Sequence, residues 1–179
     1  MSGVQSYMVK VSCVGEPELS MKVDEPKFAQ TYWHSVIEKQ AWYDEDKEHL
    51  IVLLLSTRYY VKAYSLVAIG SLNESIAHPR EIFRAAIATG AHAMVLLHNH
   101  PSGYPQPSAA DRCLTQRLRD AADLLQIKLL DHIIVGQQRL ATAANIKVSN
   151  SRRPPSSRIR AAEKPSLGDY FSFAEAGEI

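Results

Sequence analysis

The sequence has little cysteine: only Cys13 and Cys113 in 179 residues. They stand far apart and form no Cys-x-x-Cys pair, which excludes a disulfide-rich scaffold and a cysteine-built zinc finger. Long apolar runs are missing too. The longest, Leu50 to Leu55, is far too short to span a bilayer, so no membrane partner is expected. The first residues lack a charged stretch followed by an apolar one, so no signal peptide is read there. Nor is there an excess of one charge. Lys and Arg number 20 against 19 Asp and Glu, and a net charge of +1 gives no global attraction to nucleic acid. No internal repeat is visible. What remains, with 46% hydrophobic and 22% charged residues, is ordinary globular composition at a length suited to one domain. The expected setting is soluble, reduced and cytoplasmic.

Helical and extended patterns alternate along the chain. Residues 4 to 14, with Tyr7, Val9 and Val11 alternating, predict a first strand. Pro26 opens a helix predicted over 26 to 42, with Ala29, Trp33, Ile37 and Ala41 at helical spacing. His49 to Leu55 is apolar on both faces and predicts a buried strand. Tyr60 to Ala68 reads as its hairpin partner, with the turn near Thr57-Arg58, and Gly70 to Ala77 as a loop. Pro79 starts a second helix, with Ile82, Phe83, Ala86 and Ile87 inward and Gly90 at its end. Ala93 to Leu97 is a further strand. Pro101, Gly103, Pro105 and Pro107 make residues 98 to 107 a stiff loop. Ser108 caps a third helix to about Leu125, with Leu114, Leu118, Ala121, Ala122 and Leu125 inward. Ile127 to Val135 and Tyr170 to Phe173 complete the strands. The pattern predicts a mixed sheet flanked by helices.

Residues 137 to 169 differ in character. Arg139, Lys147, Arg152, Arg153, Arg158, Arg160 and Lys164 face only Glu163 and Asp169, beside Pro154-Pro155 and several serines. The composition predicts a basic, mobile insertion. It offers a weak nucleic-acid contact at most, because it lacks the interleaved aromatics on which bases stack.

The chemistry is concentrated around residue 100. His98 and His100 leave a strand two positions apart, so both imidazoles project to one side. Ser108 and Asp111 lie three apart in the first turn of a helix, on one face. The stiff loop keeps strand end and helix start close. Two imidazoles and one carboxylate leave a fourth tetrahedral position for water, the composition of a catalytic zinc site. Ser-x-x-Asp alone is also an ordinary capping box. From the chain's own frequencies, however, the whole pattern arises by chance on the order of once in a thousand such chains, and chance does not supply the strand–loop–helix context. A hydrolytic zinc site also needs a base, and a carboxylate suits that role. Glu48, at the start of the buried strand, is the candidate, with Glu45 close behind and Glu74 and Glu81 more distant. His34, His49, His78 and His92 have no partners at ligand spacing. The contiguous His98-Asn99-His100 does not fit the nuclease motif of those letters, which spreads over a longer hairpin–helix unit. A zinc deaminase would need His-x-Glu followed by Pro-Cys-x-x-Cys, which is absent.

His98-x-His100-x7-Ser108-x2-Asp111 resembles the JAMM (MPN+, JAB) metalloprotease motif in full. The words Gly70-Ser71-Leu72-Asn73, His78-Pro79-Arg80-Glu81, His98-Asn99-His100-Pro101-Ser102-Gly103, Pro107-Ser108 and Leu130-Asp131-His132-Ile133-Ile134-Val135-Gly136 resemble the bacterial RadC-like branch, as does Tyr170 to Gly177. The resemblance covers residues 20 to 136 and 170 to 179. It implies an α/β (α+β) MPN/JAB fold, with a curved mixed sheet flanked by helices. The catalytic domain would span 1 to 136, completed by 170 to 179. It implies one Zn2+ on His98, His100 and Asp111, selects Glu48 as the base, and gives Ser108 the role of oxyanion donor. The implied activity is hydrolysis of a peptide or isopeptide bond in a protein substrate. Asp131 and His132 read as a buried strand pair satisfied by backbone, with a supporting role behind the ligands as the alternative. Many RadC-like proteins carry a helix-hairpin-helix region, and the chain begins too close to the catalytic domain for one to be expected. The competing reading is a metal-stabilised, DNA-repair-associated binding module without turnover. Oligomeric state and substrate identity have no signature in the sequence.

Overall fold

Strands buried on both faces need helices on both sides. A computed structural model, describing residues 21–70, 78–136 and 170–179, has two such strands. Every residue of β1 (His49–Leu55) and of β3 (Ala93–Asn99) is buried. They lie side by side, antiparallel, inside a five-stranded sheet completed by β2 (Val61–Ile69), β4 (Lys128–Val135) and β5 (Tyr170–Ser172). The order is β2-β1-β3-β4-β5. Only β3 and β4 run parallel. A parallel pair needs a crossover, and α3 (Ala109–Leu125) supplies it.

Alternation along β1 divides the interior. Leu50, Val52 and Leu54 pack with Ile82, Phe83 and Ala86 of α2 (Pro79–Ala88) and with Leu118 and Ala122 of α3. Ile51, Leu53 and Leu55 pack on the other face with Ala29, Tyr32, Trp33 and Val36 of α1 (Pro26–Val36). The result is the expected mixed α+β domain. The predicted first strand (4 to 14), most of the predicted 70 to 77 loop and the basic 137 to 169 segment lie outside the described residues. Of the described chain start, Met21 and Val23 bond to Val61 and Tyr59 at the beginning of β2.

Three local expectations are corrected. The first helix stops at Val36 and tightens into a 3-10 turn over Ile37–Lys39, instead of running to 42. The Gln40 side-chain amide donates to the Val36 carbonyl, and Ala41 is exposed, so the apolar line breaks after Ile37. Ile87 and Leu125, expected inward, are exposed because each sits at the end of its helix. The second helix ends as expected. Gly90 takes φ +59 just beyond the C-cap Thr89, a conformation that a residue with a Cβ adopts at a cost.

Candidate metal centre

The site forms where β3 ends and α3 begins, the place where α/β units present side chains to ligands. His98 is paired between Leu50 of β1 and Ile134 of β4, and its side chain is fully buried. After Asn99 the chain leaves the sheet. Gly103, at φ +81, donates its N–H to the His100 carbonyl and turns the loop back beside the site. His100 Nδ1 lies 2.8 Å from the Tyr104 carbonyl, which fixes the ring.

Ser108 caps α3 through a complete capping box. Its Oγ accepts from the Asp111 N–H at 3.2 Å, and Asp111 Oδ2 accepts from the Ser108 N–H at 2.7 Å. The Ser108 hydroxyl also donates to Asp111 Oδ2 at 2.6 Å. The capping and ligand readings of Asp111 therefore coincide: the cap holds the carboxylate toward the imidazoles.

The three predicted ligands converge. His98 Nε2 and His100 Nε2 are 3.0 Å apart, His98 Nε2 is 3.3 Å from Asp111 Oδ1, and His100 Nε2 is 3.6 Å from Asp111 Oδ2. Donors ~2.0–2.1 Å from a tetrahedral zinc ion stand roughly 3.3 Å from one another, so these residues fit such an ion. Among the described residues, His98, His100 and Asp111 form a cluster able to hold a metal ion.

Burial and charge act in opposite directions here. Burial pushes the Asp111 carboxyl up, but hydrogen bonding to His100, His98 and the Ser108 hydroxyl outweighs it and holds the group far below the usual carboxylate range. Burial dominates at His98 and lowers it. At His100 burial is overcome by Asp111 and the Tyr104 carbonyl, and the ring is raised.

The predicted base candidates separate in space. Glu48 is half-buried and lines a cleft of about 350 Å³ with His100, Ser108 and Asp111. Glu45 is exposed in the preceding turn, and Glu81 pairs with Arg84 in the first turn of α2. Glu74 lies outside the described residues. Asn99 places Glu48, a role absent from the sequence reading. Its Oδ1 accepts from the His49 N–H at 2.8 Å, and its Nδ2 donates to the Lys47 carbonyl at 2.9 Å. The side-chain amide thus clasps the backbone on both sides of Glu48. The sequence signal was Asn99 itself, a polar residue between two ligands at a strand end.

Asp131 and His132 do not act as one pair. Consecutive strand residues face opposite sides. Asp131 accepts from the Ser172 hydroxyl and from the N–H groups of Ala174 and His132, joining β4 to the terminal segment. Burial nonetheless raises its carboxyl to about 6. His132 turns to the α3 side, where its Nε2 lies 2.9 Å from His98 Nδ1. Among the other histidines, His78 caps α2, its ring accepting from the Arg80 N–H, and His34 bonds Glu38.

Comparison with known proteins identifies the family. Residues 25–147 match the model of the RadC-like JAB domain. The chain belongs to the RadC-like JAB family. It is 57% identical over 93 residues to a UPF0758 protein of Chlorobaculum tepidum, a stretch covering 52% of this chain and 42% of that protein. A UPF0758 protein of Desulforamulus reducens is 48% identical over 99 residues, covering 55% and 44%. One from Desulfitobacterium hafniense strain DCB-2 is 46% identical over 106 residues, covering 59% and 46%. The matched stretches thus span less than half of these RadC-like relatives. No helix among the described residues is long and apolar enough to cross a membrane.

Proposed function

We propose that this RadC-like JAB chain is a zinc-dependent hydrolase of the JAMM type acting on a peptide or isopeptide bond. The observation that carries the reading is the convergence of two imidazole nitrogens and one carboxylate beside the cleft that Glu48, His100 and Asp111 line. His98, His100 and Asp111 would hold the ion. When bound, zinc supplies Lewis acidity, polarising a carbonyl and lowering the pKa of water toward 7.

The chain's own groups do the rest. The Glu48 carboxylate takes a proton from the attacking water and returns it to the leaving amine. The Ser108 hydroxyl turns from Asp111 Oδ2 to donate to the oxyanion of the tetrahedral intermediate. It has one proton, so the two bonds alternate.

Metal content by mass spectrometry tests the reading, together with turnover on peptide and isopeptide substrates. About one zinc per chain is expected, retained by Glu48→Gln without turnover and lost with turnover in His100→Ala. No zinc in the parent chain after refilling would overturn the hydrolase. Full turnover by Glu48→Gln would overturn the base.

A further inference from the structure

Ring protons around the centre can be assigned from geometry. Thr115 Oγ1 lies 2.7 Å from the Asp111 carbonyl oxygen and 2.6 Å from His132 Nδ1. A hydroxyl has one proton, and a carbonyl has none to give. The Thr115 proton therefore goes to the Asp111 carbonyl, and His132 Nδ1–H donates to Thr115. His132 is fully buried, which favours the neutral ring. With its proton on Nδ1, its Nε2 carries a lone pair. That nitrogen is 2.9 Å from His98 Nδ1, so His98 holds its proton there. The His98 Nε2 lone pair then points at His100 and Asp111.

On the other side, His100 Nδ1–H donates to the Tyr104 carbonyl, so Nε2 is the nitrogen that faces Asp111. Two ring nitrogens and a carboxylate thus face one point. Phe173 stacks on His132 with ring centroids 4.8 Å apart and planes 7° from parallel, which fixes the plane of the connecting ring.

We propose that Thr115 and His132 are positioning residues of the metal centre, locking His98 in the tautomer that presents Nε2 to the ion. This rests on the metal-binding part of the function proposed above. The anchor is Asp111 itself, whose carboxylate is one ligand and whose carbonyl terminates the relay that orients another. Metal-bound histidines usually donate their second N–H to a carboxylate or carbonyl. Here the acceptor is a neutral imidazole, which adds no negative charge. Asp111 is then the one anionic ligand offsetting zinc.

Long-range 1H–15N correlation spectra of the histidine rings test this without turnover, in the metal-free and zinc-loaded chain. The parent should show Nδ1–H on both His98 and His132. Thr115→Val, nearly isosteric, should mix these tautomers and weaken zinc binding ~10–100-fold in chelator competition, and Thr115→Ser should restore both. His132→Ala should weaken zinc at least as much, if it folds. A Thr115→Val chain with the parent's His98 tautomer and zinc affinity would overturn the relay alone. A parent chain that takes up no zinc would instead overturn the function on which the relay rests.

Discussion

Asp111 meets His98 by two routes. Its Oδ1 stands 3.3 Å from His98 Nε2, and its carbonyl reaches His98 Nδ1 through Thr115 and His132. Side chain and backbone of one helical residue thus act on opposite nitrogens of one ring. Asp111→Asn separates the routes, because the amide oxygen still serves the cap and the carbonyl is unchanged. Zinc affinity should fall ~100-fold or more by chelator competition, while the metal-free His98 ring keeps its Nδ1 proton. Loss of that tautomer as well would show that the carboxylate, and not the relay, sets it.

The clasp of Asn99 on the backbone around Glu48 makes a second prediction. Asn99→Ala leaves the His49 N–H and the Lys47 carbonyl without these partners, at a cost of about 1–3 kcal/mol in denaturant unfolding. Turnover should fall while zinc content stays near one per chain, since no ligand moves. Asn99→Asp should be worse, because it turns a carboxylate oxygen toward a carbonyl.

Ser108 has a cap role and a proposed chemical role, and two substitutions tell them apart. Ser108→Ala should cost about 1 kcal/mol in stability, whereas Ser108→Gly should cost only a few tenths. Both remove the hydroxyl, so both should lose turnover alike. Activity tracking stability across the pair would reduce Ser108 to a cap.

Asp131 predicts a pH dependence of folding. Its carboxyl is raised to about 6 in the folded chain against 3.8 for the free group, chiefly by burial. The folded state therefore binds the proton more tightly between these values. Stability from this group is greatest below about pH 4 and is lost as pH rises through 6, by about 3 kcal/mol. Asp131→Asn removes the titration while its amide oxygen still accepts from His132 and Ala174. Its stability relative to the parent should rise from pH 4 to 7 in urea titrations. A difference independent of pH would contradict the assignment.

Short-range pattern determined much of this protein. The apolar runs at 49–55 and 93–97 read as strands, and His98, His100, Ser108 and Asp111 are set by spacings of two and three at the end of β3 and the start of α3. Chain-local geometry is enough for such pairs, because strand alternation and the first helical turn fix where neighbouring side chains go. Where the first helix stops was less legible, since Gln40 ends it by competing for a backbone carbonyl. Tertiary structure decided the rest. Spacing puts Glu48 only slightly ahead of Glu45, and the pairing of β1 with β3, with Asn99 as clasp, brings Glu48 into the cleft. His132 is 34 residues from His98, and their contact depends on the parallel register of β3 and β4. That register is set by how α3 packs across the sheet, a long-range balance of burial that no local spacing encodes.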